Sequence, residues 1–396
     1  MACRSWYSRL MLLGIDASRV VAMNGTGVEV YSFAIIHHLL EKIRTNSHSA
    51  FDRVHLYTPR PLPEGFLGGR YPFVEEHVIP FPRVWTHIRL SAAMLQEPPD
   101  ALFIPSHVLP IVHPKRSVVT IHDVAFMEFP QAYGRFQRMY LKFSTWLAVR
   151  EATQIVVPSQ AVADDLVKYF SCSKEKISVI HHGFEPNASP RTHAADHSMN
   201  HQAANSLLQN FNIGLDDPYI FYVGRLEEKK NLRRLIEAFI LFRKTHPSWK
   251  LILAGSRGFG FEEIFKVVEA HDAWQYVIMP GFVTDEERDA LYDHCQFSAF
   301  VSLSEGFGFP ILESMSYGKD VLMSDIPVMH EIATQGVFVD PMNVEDITKG
   351  MLKLAEKSSE STPVHQSALK KITAKYSWEV AAEKTLQVLS DVAKTS

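Results

Sequence analysis

The sequence predicts an α/β protein made of two doubly wound domains. Short apolar segments alternate with amphipathic helical segments along most of the chain, which is the pattern of βαβ units and parallel sheets. The alternation breaks at 185–216, where prolines, asparagines and histidines replace large apolar residues. A chain of 396 residues is long enough for two separate cores. We therefore expect domains at 1–184 and 217–375, a linker at 185–216 and a C-terminal helix at 376–396.

Composition points to a soluble globular protein in a reducing compartment. Apolar residues make up 46% and charged residues 21%, and the net charge of −4 gives no general attraction to nucleic acid. Cys3, Cys172 and Cys295 are odd in number and far apart, so no structural disulfide is expected. The apolar run at 10–15 is too short for a signal sequence or a membrane span. We expect a cytoplasmic protein whose only membrane contact would be peripheral.

Histidines are numerous but do not predict a metal site. There are 19 of them, and some form adjacent pairs or a helical stripe. These are His37-His38, His181-His182 and the stripe His193, His197 and His201. No cysteine stands at ligand spacing beside the stripe, and no metal is expected there.

Taken in order, the first unit of the chain is a strand, a glycine loop and a helix. A strand is predicted at 11–15, followed by a loop with Gly25 and Gly27 and a helical pattern at 30–43. A plain β-α turn is one interpretation of this loop. The other is a loop whose glycines let the backbone approach an anion.

A second candidate position follows the strand predicted at 117–121. This run is β-branched and apolar on both faces, as expected for a central strand of a parallel sheet. His122 and Asp123 come directly after it, and ligands of open α/β sheets gather at the carboxyl ends of strands. His122 is thus a candidate functional residue, with a satisfied structural histidine as the alternative. Asp123 would orient the imidazole or cap the next turn.

Residues 133–150 combine basic and aromatic side chains at helical spacing. A basic amphipathic face of this kind suits the surface of an anionic membrane. An ordinary packed helix with solvated Arg and Lys is the alternative, and the sequence leaves both open.

The second half restarts the α/β pattern with a strand at 219–223. Arg225 and Lys230 stand on either side of the turn that follows it, and a helix with apolar residues at helical spacing begins at Leu232. Two such cations can meet a diphosphate from two sides. A solvated charged surface is the alternative.

The central stretch of the chain is the loop after the apolar run 297–303, which predicts a buried strand. Gly306 and Gly308 permit close approach to a ligand, and the N-terminus of the helix predicted next favours an anion such as phosphate. Glu305 and Glu313 flank this loop. Since carboxylates repel phosphate, sugar hydroxyls are their expected partners. A plain strand, glycine turn and helix is the alternative.

The Glu305 to Glu313 stretch resembles the Glu-x₇-Glu signature of the family 4 retaining glycosyltransferases of the GT-B fold. Three further elements resemble that family in the same order along the chain: the Gly25 loop, the His122 motif, and Arg225 with Lys230. The resemblance implies two Rossmann-like domains facing across a cleft, with the C-terminal helix crossing back to the N-terminal domain.

The resemblance also implies residue roles. Arg225 and Lys230 would hold the donor diphosphate, Glu305 and His122 would contact the transferred sugar, and Glu313 would take the ribose hydroxyls. The remaining donor-binding residues would be Gly25, Thr26, Gly27, Gly306, Phe307, Gly308 and Phe309.

The implied activity is metal-independent transfer of a hexose, with retention, from a nucleotide sugar to a glycan or lipid-linked acceptor. Mannose from GDP-mannose is our first expectation, ahead of UDP-glucose, and neither a cofactor nor a metal is expected. A GT-B sugar-nucleotide epimerase and a catalytically silent sugar-binding relative are the alternatives. A Rossmann dehydrogenase is disfavoured because Val30 stands where the third glycine of its motif belongs.

Overall fold

The structure, a computed structural model, consists of two compact units. It describes residues 11–20, 25–46, 49–81, 85–185, 201–333, 335–358 and 374–395. Unit 1 comprises Met1–Val124, Met139–Gly183 and Tyr376–Ser396. Unit 2 comprises Ala125–Arg138 and Phe184–Lys375.

Each unit is built on a parallel sheet. Unit 1 has a seven-stranded sheet in the order β3-β2-β1-β4-β5-β6-β7, and unit 2 a six-stranded sheet in the order β10-β9-β8-β11-β12-β13. The strands of unit 1 are β1 (Met11–Asp16), β2 (Phe51–Thr58), β3 (Val74–Val78), β4 (Ala101–Ile104), β5 (Ser117–Thr120), β6 (Gln154–Val157) and β7 (Ile177–Val179). Those of unit 2 are β8 (Tyr219–Val223), β9 (Lys250–Ala254), β10 (Val277–Gly281), β11 (Phe297–Phe300), β12 (Asp320–Ser324) and β13 (Val337–Val339).

Helices connect these strands, as the alternating pattern predicts. The α-helices are α1 (Gly27–Thr45), α2 (Ser91–Gln96), α3 (Ala125–Glu128), α4 (Arg135–Glu151), α5 (Gln160–Phe170), α6 (His201–Gln209), α7 (Leu232–Arg243), α8 (Phe261–Ala270), α9 (Asp285–His294), α10 (Phe309–Ser316), α11 (Pro327–Ile332), α12 (Val344–Ser358) and α13 (Trp378–Lys394). Short turns of other helix types lie at Thr86–Leu90, Pro130–Ala132, Lys174–Lys176 and Glu228–Lys230.

The prediction of two doubly wound α/β domains is confirmed. In both sheets the strand order reverses once, between β1 and β4 in unit 1 and between β8 and β11 in unit 2. Loops that leave the carboxyl ends of strands on either side of such a reversal diverge and leave a crevice, where ligands of this fold class bind. The Gly25 loop and the Lys230 turn each follow a strand at such a reversal.

The C-terminal helix α13 packs within unit 1, as predicted. Ser377 caps it by accepting a hydrogen bond from the Val380 amide, and its face with Leu386 and Leu389 is buried. Lys42 of α1 lies 3.4 Å from Glu383 of α13, and Arg116 donates to the Thr395 carbonyl. The chain therefore finishes on the unit in which it began.

Some sequence expectations fall outside or beside the described elements. The strand β3 ends at Val78, two residues before Pro80, which lacks the N–H that a ladder needs. Residues 186–200 of the predicted linker 185–216 lie outside the described part of the chain, and so do Cys3, His193 and His197. The rest of that linker includes the helix α6. Cys172 and Cys295 are free and buried. Among the described residues, no helix is long and apolar enough to cross a membrane.

Candidate functional site

The turn after β8 and the loop after β11 bring Lys230 and Glu305 together. The two strands are neighbours in the sheet, with Phe297 opposite Ile220. Lys230 Nζ donates to Glu305 Oε1 at 2.5 Å, and Ser302 Oγ donates to the same oxygen at 2.7 Å. Only 17% of the lysine side chain and 15% of the glutamate side chain is exposed. Two residues that are 75 positions apart in the sequence thus form one charged pair at the strand ends.

The environment keeps Glu305 ionised. Burial favours the neutral form of this carboxyl, but the charges of Lys230 and Lys229 and the hydrogen bonds from Lys230 and Ser302 outweigh burial. The pKa of Glu305 is consequently lowered. A carboxylate held in this state can accept hydrogen bonds from neutral hydroxyls.

Asn231 fixes the position of Lys230. It adopts the left-handed conformation with φ of 59°, and its Nδ2 donates to the carbonyls of Val301 at 3.0 Å and Pro341 at 2.6 Å. The Leu303 amide donates to the Lys229 carbonyl at 2.9 Å. The turn and the loop are therefore fastened together. Sequence reasoning missed Asn231, since beside a helix start it suggests only a cap.

We expect Asn231→Asp to destabilise unit 2 by about 2–4 kcal/mol, because two buried carbonyls lose their donor. Asp tolerates the left-handed conformation about as well as Asn, so backbone strain is not a confounding factor. Urea unfolding measures the effect. Asn212→Asp is the matched control, since Asn212 has φ of 57° but is exposed. Equal loss in both variants would show that conformation, not the two hydrogen bonds, is responsible.

Glycines after the adjacent strands β8 and β9 allow the backbone of the two loops to come close together. Gly224 and Gly255 both have positive φ, 148° and 138°, and a Cβ on Gly255 would collide with the Gly224 carbonyl. The Gly255 amide donates to the Gly281 carbonyl at 2.7 Å. Arg225 comes directly after Gly224, with 52% of its side chain exposed and its Nε 3.7 Å from Glu227 Oε2. It is available to an anionic ligand, although it pairs with Glu227 and not with Glu305, the partner of Lys230.

The loop after Glu305 ends at the N-terminus of α10, as predicted. Gly308 has φ of 101°, a conformation that other residues avoid, and Pro310 occupies the first helical turn. Phe307 is buried and packs edge to face on Phe309 at a ring distance of 5.2 Å. The N-terminus of α10, which is the positive end of the helix dipole, therefore follows Glu305 by only a few residues in the sequence.

Glu313 lies one turn into α10 in a different environment. Tyr292 OH donates to its Oε2 at 3.1 Å. Burial raises the pKa of Glu313 even though Arg288 lies nearby and opposes that effect. The two predicted carboxylates therefore differ: Glu305 is stabilised as an anion and Glu313 is not. Tyr292 and Arg288 had no recognisable motif in the sequence.

In unit 1, His122 follows β5 as predicted and is buried. Its Nε2 lies 2.8 Å from the Pro105 carbonyl and its Nδ1 lies 3.2 Å from His182 Nε2. The ring of Tyr31 packs edge-on against it at 4.8 Å. Burial, reinforced by His107, lowers the pKa of His122 to about 3. All of these neighbours of His122 are protein groups of unit 1, and its contact with a sugar stays a prediction.

Acid should destabilise unit 1 through His122. An unfolded histidine takes up a proton below a pH of about 6.5, whereas folded His122 does so only near its lowered pKa. The free energy of unfolding that His122 contributes is therefore complete above a pH of about 6.5, and below it falls by about 1.4 kcal/mol per pH unit. Urea unfolding between pH 7 and 5 tests this. His122→Gln should reduce the slope by about 1.4 kcal/mol per pH unit and leave the contribution of His182, whose pKa is also lowered by burial. Half-buried His37→Gln should not change the slope, and equal slopes in all three proteins would contradict a role of His122.

The Gly25 loop lies at the start of α1. Glu29 accepts from the Thr26 amide at 2.7 Å and from Thr26 Oγ1 at 2.9 Å, and a Cβ on Gly25 would crowd Glu29. Gly27 is the first residue of the helix. A phosphate at this loop would have to replace the Glu29 carboxylate at the Thr26 amide.

The fold and the unit 2 site define a protein of the glycosyltransferase class with the GT-B fold. Residues 26–188 match the family model described as Glycosyltransferase Family 4, and residues 205–371 match the one described as Glycosyl transferases group 1. The two ranges do not overlap and together span most of the chain. The chain belongs to the glycosyltransferases that combine these two domains, as the Glu305 to Glu313 stretch predicted.

Similar proteins agree with this assignment. O-antigen chain mannosyltransferase B from Escherichia coli is 26% identical over 303 residues, which cover 76% of this chain and 77% of the relative. O-antigen chain mannosyltransferase RfbU from Salmonella typhimurium is 25% identical over 240 residues, 59% of each chain. The crystal structure of HepE from Anabaena in complex with UDP and glucose superposes with a TM-score of 0.68 at 18% identity, covering 96% of this chain and 100% of that one.

Proposed function

We propose that the chain is a retaining glycosyltransferase that moves a hexose, first of all mannose from GDP-mannose, to a glycan or lipid-linked acceptor. The observation that carries the proposal is the Lys230–Glu305 pair at the strand-order reversal of unit 2. Arg225 precedes Lys230 in the same turn, and α10 begins shortly after Glu305 in the sequence. A lysine beside an ionised carboxylate, with a helix N-terminus after it, suits a sugar joined to a diphosphate.

The proposed chemistry is stabilisation of the leaving diphosphate. Negative charge grows on it as the glycosidic bond breaks, and Lys230, Arg225 and the helix N-terminus stabilise that charge more than the ground state. Lys230 is already oriented by Glu305. These groups make a metal ion unnecessary for departure of the diphosphate.

The two carboxylates take different sugar hydroxyls. Glu305, kept ionised by Lys230 and Lys229, accepts from hydroxyls of the transferred hexose. Glu313, whose pKa is raised by burial, binds the ribose. In unit 1, the proposed donor-binding residues are His122 and the loop of Gly25, Thr26 and Gly27.

Mannose is supported by the two O-antigen relatives, which are mannosyltransferases by name. GDP-mannose is our proposed donor of that sugar. The solved structure with UDP and glucose supports the other candidate, UDP-glucose. The acceptor is a glycan or lipid-linked glycan by the same analogy with O-antigen enzymes. We place the enzyme in the cytoplasm, with peripheral contact at the inner membrane face through α4, whose exposed side chains include Phe136, Met139 and Trp146.

Product analysis tests the proposal. The purified chain is incubated with GDP-mannose or UDP-glucose and a panel of mannose-terminated and lipid-linked glycans, with and without a chelator. We expect transfer from one donor, the donor's anomeric configuration in the product, and no loss of rate with chelator. An inverted product would contradict retention. A changed sugar in acceptor-free donor would identify an epimerase, and no reaction in any mixture would favour a silent relative.

A further inference from the structure

A cluster of histidine and carboxylate side chains lies at the edge of the unit 1 sheet. The parallel register of β2 and β3 sets His55 opposite Glu75 and Tyr57 opposite His77. Side chains two positions apart on a strand share a face of the sheet. The strand pairing therefore collects four polar side chains that sequence spacing alone keeps about twenty positions apart.

The distances within this cluster suit a tetrahedral metal ion. His55 Nε2 lies 3.6 Å from Glu75 Oε2, and His77 Nε2 lies 3.4 Å from Glu75 Oε1. One ligand atom from each of the three residues lies within 4.8 Å of the others. A tetrahedral zinc ion with bonds of about 2.0–2.1 Å separates its ligand atoms by about 3.3–3.5 Å. The two His–Glu distances are close to that separation, and the 4.8 Å limit on the set means that the three side chains have to draw together around an ion.

One ring nitrogen in the cluster is buried without a hydrogen bond. His77 Nε2 has no hydrogen-bond partner within the described part of the chain, since Glu75 Oε1 is near but not aligned for one. Buried polar atoms are normally bonded, so this atom calls for a ligand.

We propose that His55 Nε2, His77 Nε2 and the Glu75 carboxylate form a site for a divalent transition-metal ion of the zinc class, with water as the fourth ligand. Imidazole favours such ions over magnesium or calcium. Tyr57 OH lies 3.5 Å from His55 Nδ1 and would orient that ring from behind. Glu75 is 69% exposed, which leaves a path for the ion and its water.

The ion would fasten the edge strand β3 to β2. The structure places this cluster in unit 1, whereas Lys230 and Glu305 belong to unit 2. The site is thus one for stability, and a chelator is expected to lower the melting temperature of unit 1 without stopping sugar transfer.

Cobalt is the probe that tests this site. The metal-free full chain is titrated with Co²⁺, whose absorption in the visible region is strong when tetrahedral and weak when octahedral, and the bound ion is then displaced with Zn²⁺. We expect about one equivalent of tetrahedral Co²⁺. His77→Gln and Glu75→Gln should each weaken binding by roughly tenfold or more. Glu75→Gln alters an exposed side chain, so its melting temperature without metal should match that of the wild type and exclude misfolding.

The matched control removes the other histidine group. The triple variant His193→Ala, His197→Ala, His201→Ala should keep the tetrahedral spectrum and its affinity. Loss of the spectrum in that variant, with retention in His77→Gln and Glu75→Gln, would overturn the proposal. A weak octahedral spectrum in the wild type would overturn it as well.

Discussion

Lys230→Ala lowers turnover by about 10²- to 10³-fold, because the leaving diphosphate loses a cation that is fixed in place before the reaction. The same change leaves the largely buried Glu305 carboxylate without its main partner, which should cost unit 2 about 2 kcal/mol. Steady-state kinetics and urea unfolding of the same preparation measure the two effects.

A second substitution separates catalysis from stability. In Lys230→Ala with Glu305→Gln the buried carboxylate is replaced by a neutral amide, so stability should recover. Turnover should stay low, because Lys230 and Glu305 both have proposed roles in the reaction, and stability is therefore the informative measurement on this variant. Lys229→Ala is the matched control, since it removes an equal charge from the next position, where the ion pair is with Glu227; we expect less than a tenfold change in turnover. Recovery of turnover in the double variant would assign Lys230 a structural role only.

Gly183→Ala destabilises unit 1 by about 3 kcal/mol, because a Cβ at this position would collide with the side chain and the backbone of Trp378 at the start of α13. Backbone atoms cannot move aside as the end of a flexible side chain can. Thermal unfolding should show a decrease of roughly 6–12 °C for a unit of this size.

Two controls make that result specific. Gly214→Ala introduces a Cβ whose nearest neighbour is 3.5 Å away, an ordinary contact, and should change the melting temperature little. Trp378→Ala removes the indole side chain that the new Cβ would meet, but not the backbone atoms of residue 378. Combining it with Gly183→Ala should therefore relieve only part of the destabilisation caused by the collision. A fully stable Gly183→Ala would mean that α13 does not pack on Gly183.

The sequence predicted most of the fold because each local signal agreed with its neighbours. The strand at 117–121 was apolar on both faces and occupies an inner position of the sheet, and the helix predicted after Gly308 is α10. The loop of Glu305 to Glu313 was recognisable because its chemistry is contiguous in sequence. In such segments, neighbouring residues in the sequence are enough to predict the local structure.

Other parts of the site depend on distant pairing and gave no local signal. Asn231 reaches the Pro341 carbonyl, 110 positions away, and Tyr292 reaches Glu313 from another helix. The neighbours of His122 likewise come from Pro105 and His182. The environment that sets a pKa is created by these long-range contacts, so the opposite shifts of Glu305 and Glu313 were beyond sequence reasoning.

The central claim is that unit 2 binds a nucleotide sugar, and the melting temperature of the purified chain in GDP, UDP, ADP and their common sugar conjugates tests it most directly. A ligand at 100 times its dissociation constant stabilises the folded state by about 2.7 kcal/mol, enough to raise the melting temperature by several degrees. We predict a rise with one nucleotide series, GDP first, that is lost in Lys230→Ala. No rise with any nucleotide, or an equal rise in Lys230→Ala, would contradict the account.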